Sequence, residues 1–143
     1  MTIGNTFEND LQKLIFQAVA IADIAENDSS SPLTVLEVSL HTANPDETGT
    51  QSTSETAYTN YARVPVARTD AGWTVSAAVA SNAAEIAFAA CGTTGATITH
   101  IGIGTAHTST GKLLYYGQMT APLVVSTGVT PKIALGALTV TLD

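Results

Sequence analysis

The stretch Leu36-Glu37-Val38-Ser39-Leu40-His41-Thr42-Ala43-Asn44-Pro45-Asp46-Glu47-Thr48-Gly49 decides how the rest of the chain is read. From Leu36 to His41 apolar and polar residues alternate, so Leu36, Val38 and Leu40 share one face and Glu37, Ser39 and His41 the other. That is the pattern of a half-buried strand. The strand is expected to end at Asn44-Pro45-Asp46, because asparagine can bond back onto its own backbone and proline fixes φ and removes a donor. Gly49 then permits a left-handed step.

The same alternation of short strand and punctuation continues toward the C-terminus. Tyr58, Tyr61, Ala62, Val64 and Val66 predict a second strand, which Pro65 confines to a sheet edge. Asp70-Ala71-Gly72 predicts a turn, and Trp73-Thr74-Val75 a third strand with Trp73 as a core anchor. Ser81-Asn82-Ala83-Ala84 reads as a turn before Ile86-Ala87-Phe88. In Ala96-Thr97-Ile98-Thr99-His100-Ile101-Gly102-Ile103-Gly104 the apolar parity changes between Ile98 and Ile101, so either both faces are covered or a bulge lies near His100. Further strands are expected at 113–119, 122–125, 131–133 and 138–142. Seven or eight short strands at about ten-residue spacing predict a mainly β fold, a single-domain β-sandwich of jelly-roll type spanning residues 33–143.

Working back from the opening stretch, Asn27-Asp28-Ser29-Ser30-Ser31-Pro32 is a polar breaker run that separates this domain from an N-terminal helical arm, residues 1–30. Asn5 with Glu8 resembles a capping box, and Phe7, Leu11, Leu14, Ile15, Ala18, Val19 and Ala22 recur at helical spacing, which predicts a helix over about residues 6 to 25. Asp23 and Glu26 sit at the wrong end of its dipole, so the helix needs its apolar stripe buried. It either covers one end of the β-core or docks on a neighbouring subunit.

Composition narrows the function classes. A chain of 143 residues buries roughly 70% of its unfolded surface on folding and needs no metal or disulfide to do so. The single Cys91 excludes an intrachain disulfide. Net charge is −7, and the five basic residues, Lys13, Arg63, Arg68, Lys112 and Lys132, are scattered, the opposite of a nucleic-acid-binding surface. The N-terminus has no basic flank of a secretory signal, and Gln17 and Asp23 interrupt its apolar run, so neither secretion nor a membrane partner is expected. Abundant Thr, Ala, Gly, Ser and Val with few charges suit a soluble subunit packed in an assembly.

No catalytic constellation emerges. Asp46, Glu47 and Glu55 lie in a long polar loop, residues 42–56, but lack the alternating spacing of a calcium loop, so the loop is read as solvated or partner-facing. His41, His100 and His107 are far apart with no acid at a ligand offset, and no metal is expected. Ser39 and His41 share a strand face without the strained elbow or oxyanion hole a serine nucleophile needs. Gly102-Ile103-Gly104 lacks the third glycine and the helix of a phosphate loop. Cys91 has no basic neighbour in sequence and reads as an inert buried thiol. The expectation is a non-enzyme without cofactors.

Three blocks taken together, "LEVSLHTANPDETGTQSTSETAYTNYARVPVAR" followed by "GWTVS", "ITHIGIGTAHTSTGKLLYYGQMTAP" and "VTPKIALGALTVTLD", resemble a family of small virion proteins of tailed bacteriophages. In that family a strand ending in an "LHTADPG"-like turn precedes a "Y.GYARV" strand and "GWTV"; here Asn44 stands where Asp is more usual. The resemblance implies a virion structural protein made in the host cytoplasm. Two roles follow from it: a head cement or decoration protein bound to the major capsid protein and to further copies of itself, or a tail-fibre or tail-tip protein with a host-surface or glycan-binding role. The absence of a shaft or repeat favours cement at this level, located on the head surface. The residues expected to touch a partner are Phe7, Leu11, Leu14 and Ile15 on the helix, Asp46, Glu47 and Thr48 on the loop, and Tyr58 and Tyr61 beyond it.

Overall fold

In the computed structural model, residues 5–21 and 33–142 are described. One helix, α1 (Asn5–Gln17), precedes nine strands: β1 (Val35–His41), β2 (Val64–Ala67), β3 (Trp73–Ser76), β4 (Val79–Asn82), β5 (Ile86–Ala87), β6 (Ala96–Gly104), β7 (Leu113–Val125), β8 (Lys132–Ile133) and β9 (Thr139–Thr141). The fold is mainly β with one N-terminal helix, and β1–β6, β6–β7, β3–β4 and β4–β9 all pair antiparallel, in keeping with the β-sandwich class. The sheets have the orders β2-β1-β6-β7, β3-β4-β9 and β5-β8. Pro65 does lie in an edge strand, β2, the position in a sheet where proline is tolerated.

The chain forms two compact units. The first comprises Met1–Val35, Val66–Ile86 and Ile133–Asp143, the second Leu36–Pro65 and Ala87–Lys132. In the first unit α1 packs on β3 and β4. Its buried face is centred on Gln12 and Phe16, both 0% exposed and one helical turn apart, while Leu11, Leu14 and Ile15 are half-buried. The Phe16 and Trp73 ring centroids lie 4.6 Å apart, and burying a ring of this size contributes roughly 1.5–3 kcal/mol. Trp73 is thus the core anchor expected of it.

Polar bonds finish the docking of the helix. Gln12 Nε2 donates to the carbonyls of Ala78 and Val140, each at 3.0 Å, and Gln17 Nε2 to Trp73 O at 3.1 Å. The Arg68 guanidinium donates to Leu14 O and Ile15 O, carbonyls that the end of a helix leaves unpaired, and to Leu33 O beyond the helix, at 2.6 Å each. The predicted helix ran to about residue 25; it stops at Gln17, because Ala18 takes a left-handed φ of 57°. The rest of that prediction, from residue 22 on, and the 27–32 breaker run lie outside the described residues.

The β3–β4 hairpin corrects the sequence reading. A turn was expected at 81–84, yet Val79–Asn82 is a strand and the chain reverses at Ala77-Ala78, with Ser76 paired to Val79. Both alanines have positive φ, 50° and 61°, the backbone of a type I′ turn that ordinarily selects Asn-Gly. With alanine in both places, composition gave no hint of it.

The second unit is built on β1 and its partners. Glu37 pairs with Gly104, Ser39 with Gly102 and His41 with His100. The register of β6 against β7 shifts between Ile98 and His100, which places the expected bulge at the parity change. The half-buried strand is instead buried on both faces: Glu37, Ser39 and His41 are 3%, 0% and 0% exposed, as deep as Leu36, Val38 and Leu40. Residues 50–56 and 105–109 cover the polar face and supply the bonds that make its burial tolerable. Tyr58 and Tyr61 precede β2 rather than forming part of it.

Candidate functional site

The covering of β1 creates an arrangement of interacting charges in the second unit that also opens to solvent. Gln51 is 0% exposed; its Oε1 accepts from Ala106 N at 2.9 Å, its Nε2 reaches Glu37 O at 3.4 Å, and its backbone N–H donates to Gly111 O at 3.0 Å. Gly104 faces this side chain so closely that a Cβ there would overlap it, which is why glycine stands opposite Glu37. Gln51 is therefore a pin through the loop. Four residues on, Glu55 bridges to His41, and Thr56 N donates to Leu40 O at 2.9 Å, so the loop closes against the end of β1.

Arg63 clamps what Gln51 pins. Its Nε and one terminal nitrogen donate to the two oxygens of Glu55 at 2.7 and 2.6 Å, the fork geometry that makes arginine–carboxylate pairs strong. The terminal nitrogens also donate to Ala106 O at 2.7 Å and Ser109 O at 2.9 Å. With its side chain 3% exposed, Arg63 joins residues 55, 106 and 109, and the Glu55 bond holds its guanidinium above its ordinary pKa. Tyr61 adds a third bond to the carboxylate, 2.8 Å from its hydroxyl, while that hydroxyl accepts from Leu40 N; burial pushes the phenol pKa up.

Beside the clamp lies a shallow depression of about 220 Å³ lined by Glu55, Tyr61, Ala62, Arg63, His107, Thr108 and Ser109. His107, with its side chain 57% exposed, sits at 3.1 Å from the buried Glu37 carboxylate. The two groups suited to gripping an anion or carrying a proton, Arg63 and Glu55, already hold each other. An acidic ligand would have to displace Glu55, at a cost comparable to breaking a buried ion pair.

Deeper in, the structure brings Ser39 and His41 together, with Ser39 Oγ 2.9 Å from His41 Nε2. His41 Nδ1 lies 2.9 Å from Thr53 O; a carbonyl can only accept, so Nδ1 carries the proton and Nε2 accepts from the serine hydroxyl. Burial lowers the His41 pKa. A Cβ on Gly102 would lie 2.6 Å from Nε2 and 2.7 Å from Oγ, so glycine there makes room for the pair. With both side chains fully buried, this dyad offers no face to a substrate and serves as core polarity. Cys91 is buried, its Sγ 3.4 Å from Thr94 O.

The residues expected to contact a partner fall into different settings. Asp46, Glu47 and Thr48 are exposed at the loop tip, where Asp46 has a φ of 66° and Asn44 Oδ1 accepts from its N–H. Leu11, Leu14 and Ile15 are half-buried on α1, and the Phe7 side chain lies outside the described residues. Tyr58 is 2% exposed, donates to Ala89 O at 2.9 Å and packs edge-on against Tyr61, so its ring belongs to the core. Sequence reasoning missed the Gln51 pin and the Arg63–Glu55 clamp, since residues eight apart on a loop and a strand approach share no periodicity.

Among the described residues no group of three or more His, Cys, Asp or Glu is placed to hold a metal, and no helix is long and apolar enough to cross a membrane. No curated protein matches the chain. The family model described as Podophage GP4 fiber I protein gp80 matches residues 3–141, which spans nearly all of it, and the chain belongs to that family of phage virion structural proteins.

Proposed function

We propose that this protein is a fibre component on the outside of the phage particle, whose work is to hold position between other virion proteins rather than to transform a substrate. The observation that carries the reading is the internal commitment of the Arg63–Glu55 pair: the best-placed charged groups bond to the protein's own loops. The family's description as a fibre protein supports placement in the tail. A second reading, head cement bound to the major capsid protein, draws support from the lack of a shaft-like repeat in the sequence. Immunogold labelling or imaging of purified particles separates them. Density at the tail is expected; a regular lattice on the head would overturn the fibre placement in favour of cement, and absence from the particle would overturn both.

A further inference from the structure

Residues 133–138, Ile-Ala-Leu-Gly-Ala-Leu, contain no polar side chain, yet Ala134, Leu135, Gly136 and Ala137 are all exposed, Leu135 at 69%. Surface turns ordinarily carry Asn, Asp, Ser, Gly or Pro, each for its backbone chemistry. Only Gly136 answers that need here. It has a φ of 73°, and Ala137 N donates to Ala134 O at 3.0 Å, the pattern of a type II turn with Leu135 at its corner. The turn itself places no demand for leucine at that corner.

Asn82, buried at 1% exposure, fixes the turn from beneath. Its Nδ2 donates to Ala134 O at 2.8 Å and to Ala84 O at 2.7 Å, and its Oδ1 accepts from Leu138 N at 2.9 Å. Its backbone N–H donates to Leu138 O at 3.2 Å, and its carbonyl accepts from Gly136 N at 2.9 Å. The whole side-chain amide is thus spent on holding this corner, and Ala84, itself exposed, is drawn beside Ala134. A single exposed leucine is ordinary on a protein surface. A contiguous apolar corner held in place by a buried amide has instead the form of a pre-organised contact, whose ordering cost is met before a partner arrives.

We infer that Leu135 is a docking knob that seats in an apolar socket on a different virion protein. Shape and charge choose that occupant over a second copy. The corner is convex, so a two-fold contact would set knob against knob, whereas a symmetric seam needs a patch complementary to itself. A chain of net charge −7 also repels its own copies. Residues 133–138 offer no acid to attract a basic surface and no base to attract an acidic one, so the socket is uncharged. The inference rests on the reading of the chain as a particle component and holds for a fibre or a cement protein alike.

The test introduces Leu135→Asp into the phage and counts copies of the full chain per purified particle by quantitative mass spectrometry. The bonds that hold the turn come from Asn82 and the backbone, so the purified variant should keep the wild-type thermal midpoint. Occupancy should fall at least about tenfold, because burying a leucine is worth more than about a factor of ten in affinity. Val124→Asp, at another open apolar site with 67% exposure, should retain it. Undiminished occupancy of Leu135→Asp, or an equal loss in Val124→Asp, overturns the knob. Benzoylphenylalanine in place of Leu135 gives an independent reading should Leu135→Asp misfold: a photo-cross-link in assembled particles to apolar residues of a different virion protein supports the socket. A cross-link to a second copy, or none, overturns it. Wild-type protein missing from the particle is a separate outcome, which overturns the functional reading and the knob with it.

Discussion

Replacing Arg63 with alanine removes the group that holds residues 55, 106 and 109 together. Four short bonds disappear, and Glu55, with its side chain 16% exposed, keeps a carboxylate without its cation. Stranding one half of a buried ion pair costs about 3–5 kcal/mol. Glu55 retains some contact with water and the Tyr61 hydroxyl, which places the loss at the lower end, about 3 kcal/mol. Against a total stability on the order of 5–15 kcal/mol this is a large fraction.

Urea unfolding of the wild type, Arg63→Ala, Glu55→Gln and the double variant measures the effect. Because each single change strands the other's partner, the double variant should lose well under the sum of the singles, with a coupling of about 2 kcal/mol or more. Arg63→Lys should recover little, since an ammonium cannot reach both carboxylate oxygens and two separate carbonyls. Losses that add to within about 0.5 kcal/mol would refute the clamp and leave Arg63 as an ordinary packed side chain.

Two further outcomes follow from the backbone and from the core. Substituting Asn-Gly for Ala77-Ala78 should stabilise the protein by about 1 kcal/mol, because a left-handed alanine costs roughly 1–2 kcal/mol and glycine returns part of that as chain entropy; a thermal midpoint that stays put or falls would show the turn is not strained. His41 has a pKa lowered by burial, so below the ordinary value near 6.5 the unfolded chain binds the proton more readily than the folded one. Stability should therefore hold above that pH and decline as pH falls through it toward the folded pKa. Denaturation midpoints at pH 7.5 and 5.5, compared with His41→Gln, check this; the variant should show a shallower decline, and an unchanged slope would remove His41 as its source. The groups that bear on His41 electrostatically are Glu55, Arg63 and His100.

Much of the scaffold is legible in local pattern. Alternation located β1, β3 and β6, the parity change in β6 located its bulge, Pro65 marked an edge strand, and Trp73 marked a core. Each of these depends on the chemistry of residues adjacent in sequence. The turn at Ala77-Ala78 was not legible, because its conformation is imposed on residues that do not prefer it; Gln12 and the Leu142 amide both bond Ala78 O and help hold it there. The length of α1 was overestimated for a related reason, since apolar spacing continues past Gln17 while Ala18 reverses the backbone.

The candidate site divides in the same way. The sequence by itself determined that the chain is mainly β with an N-terminal helix, that it carries a net charge of −7, and which virion family its motifs resemble. Only the tertiary structure decided that the polar face of residues 36–41 is buried, because that depends on Gln51, Glu55 and Arg63 arriving from distant loops to satisfy it. A period of two reports which side chains share a face. What covers that face is set by long-range closure, and the residues that achieve it carry no local signature.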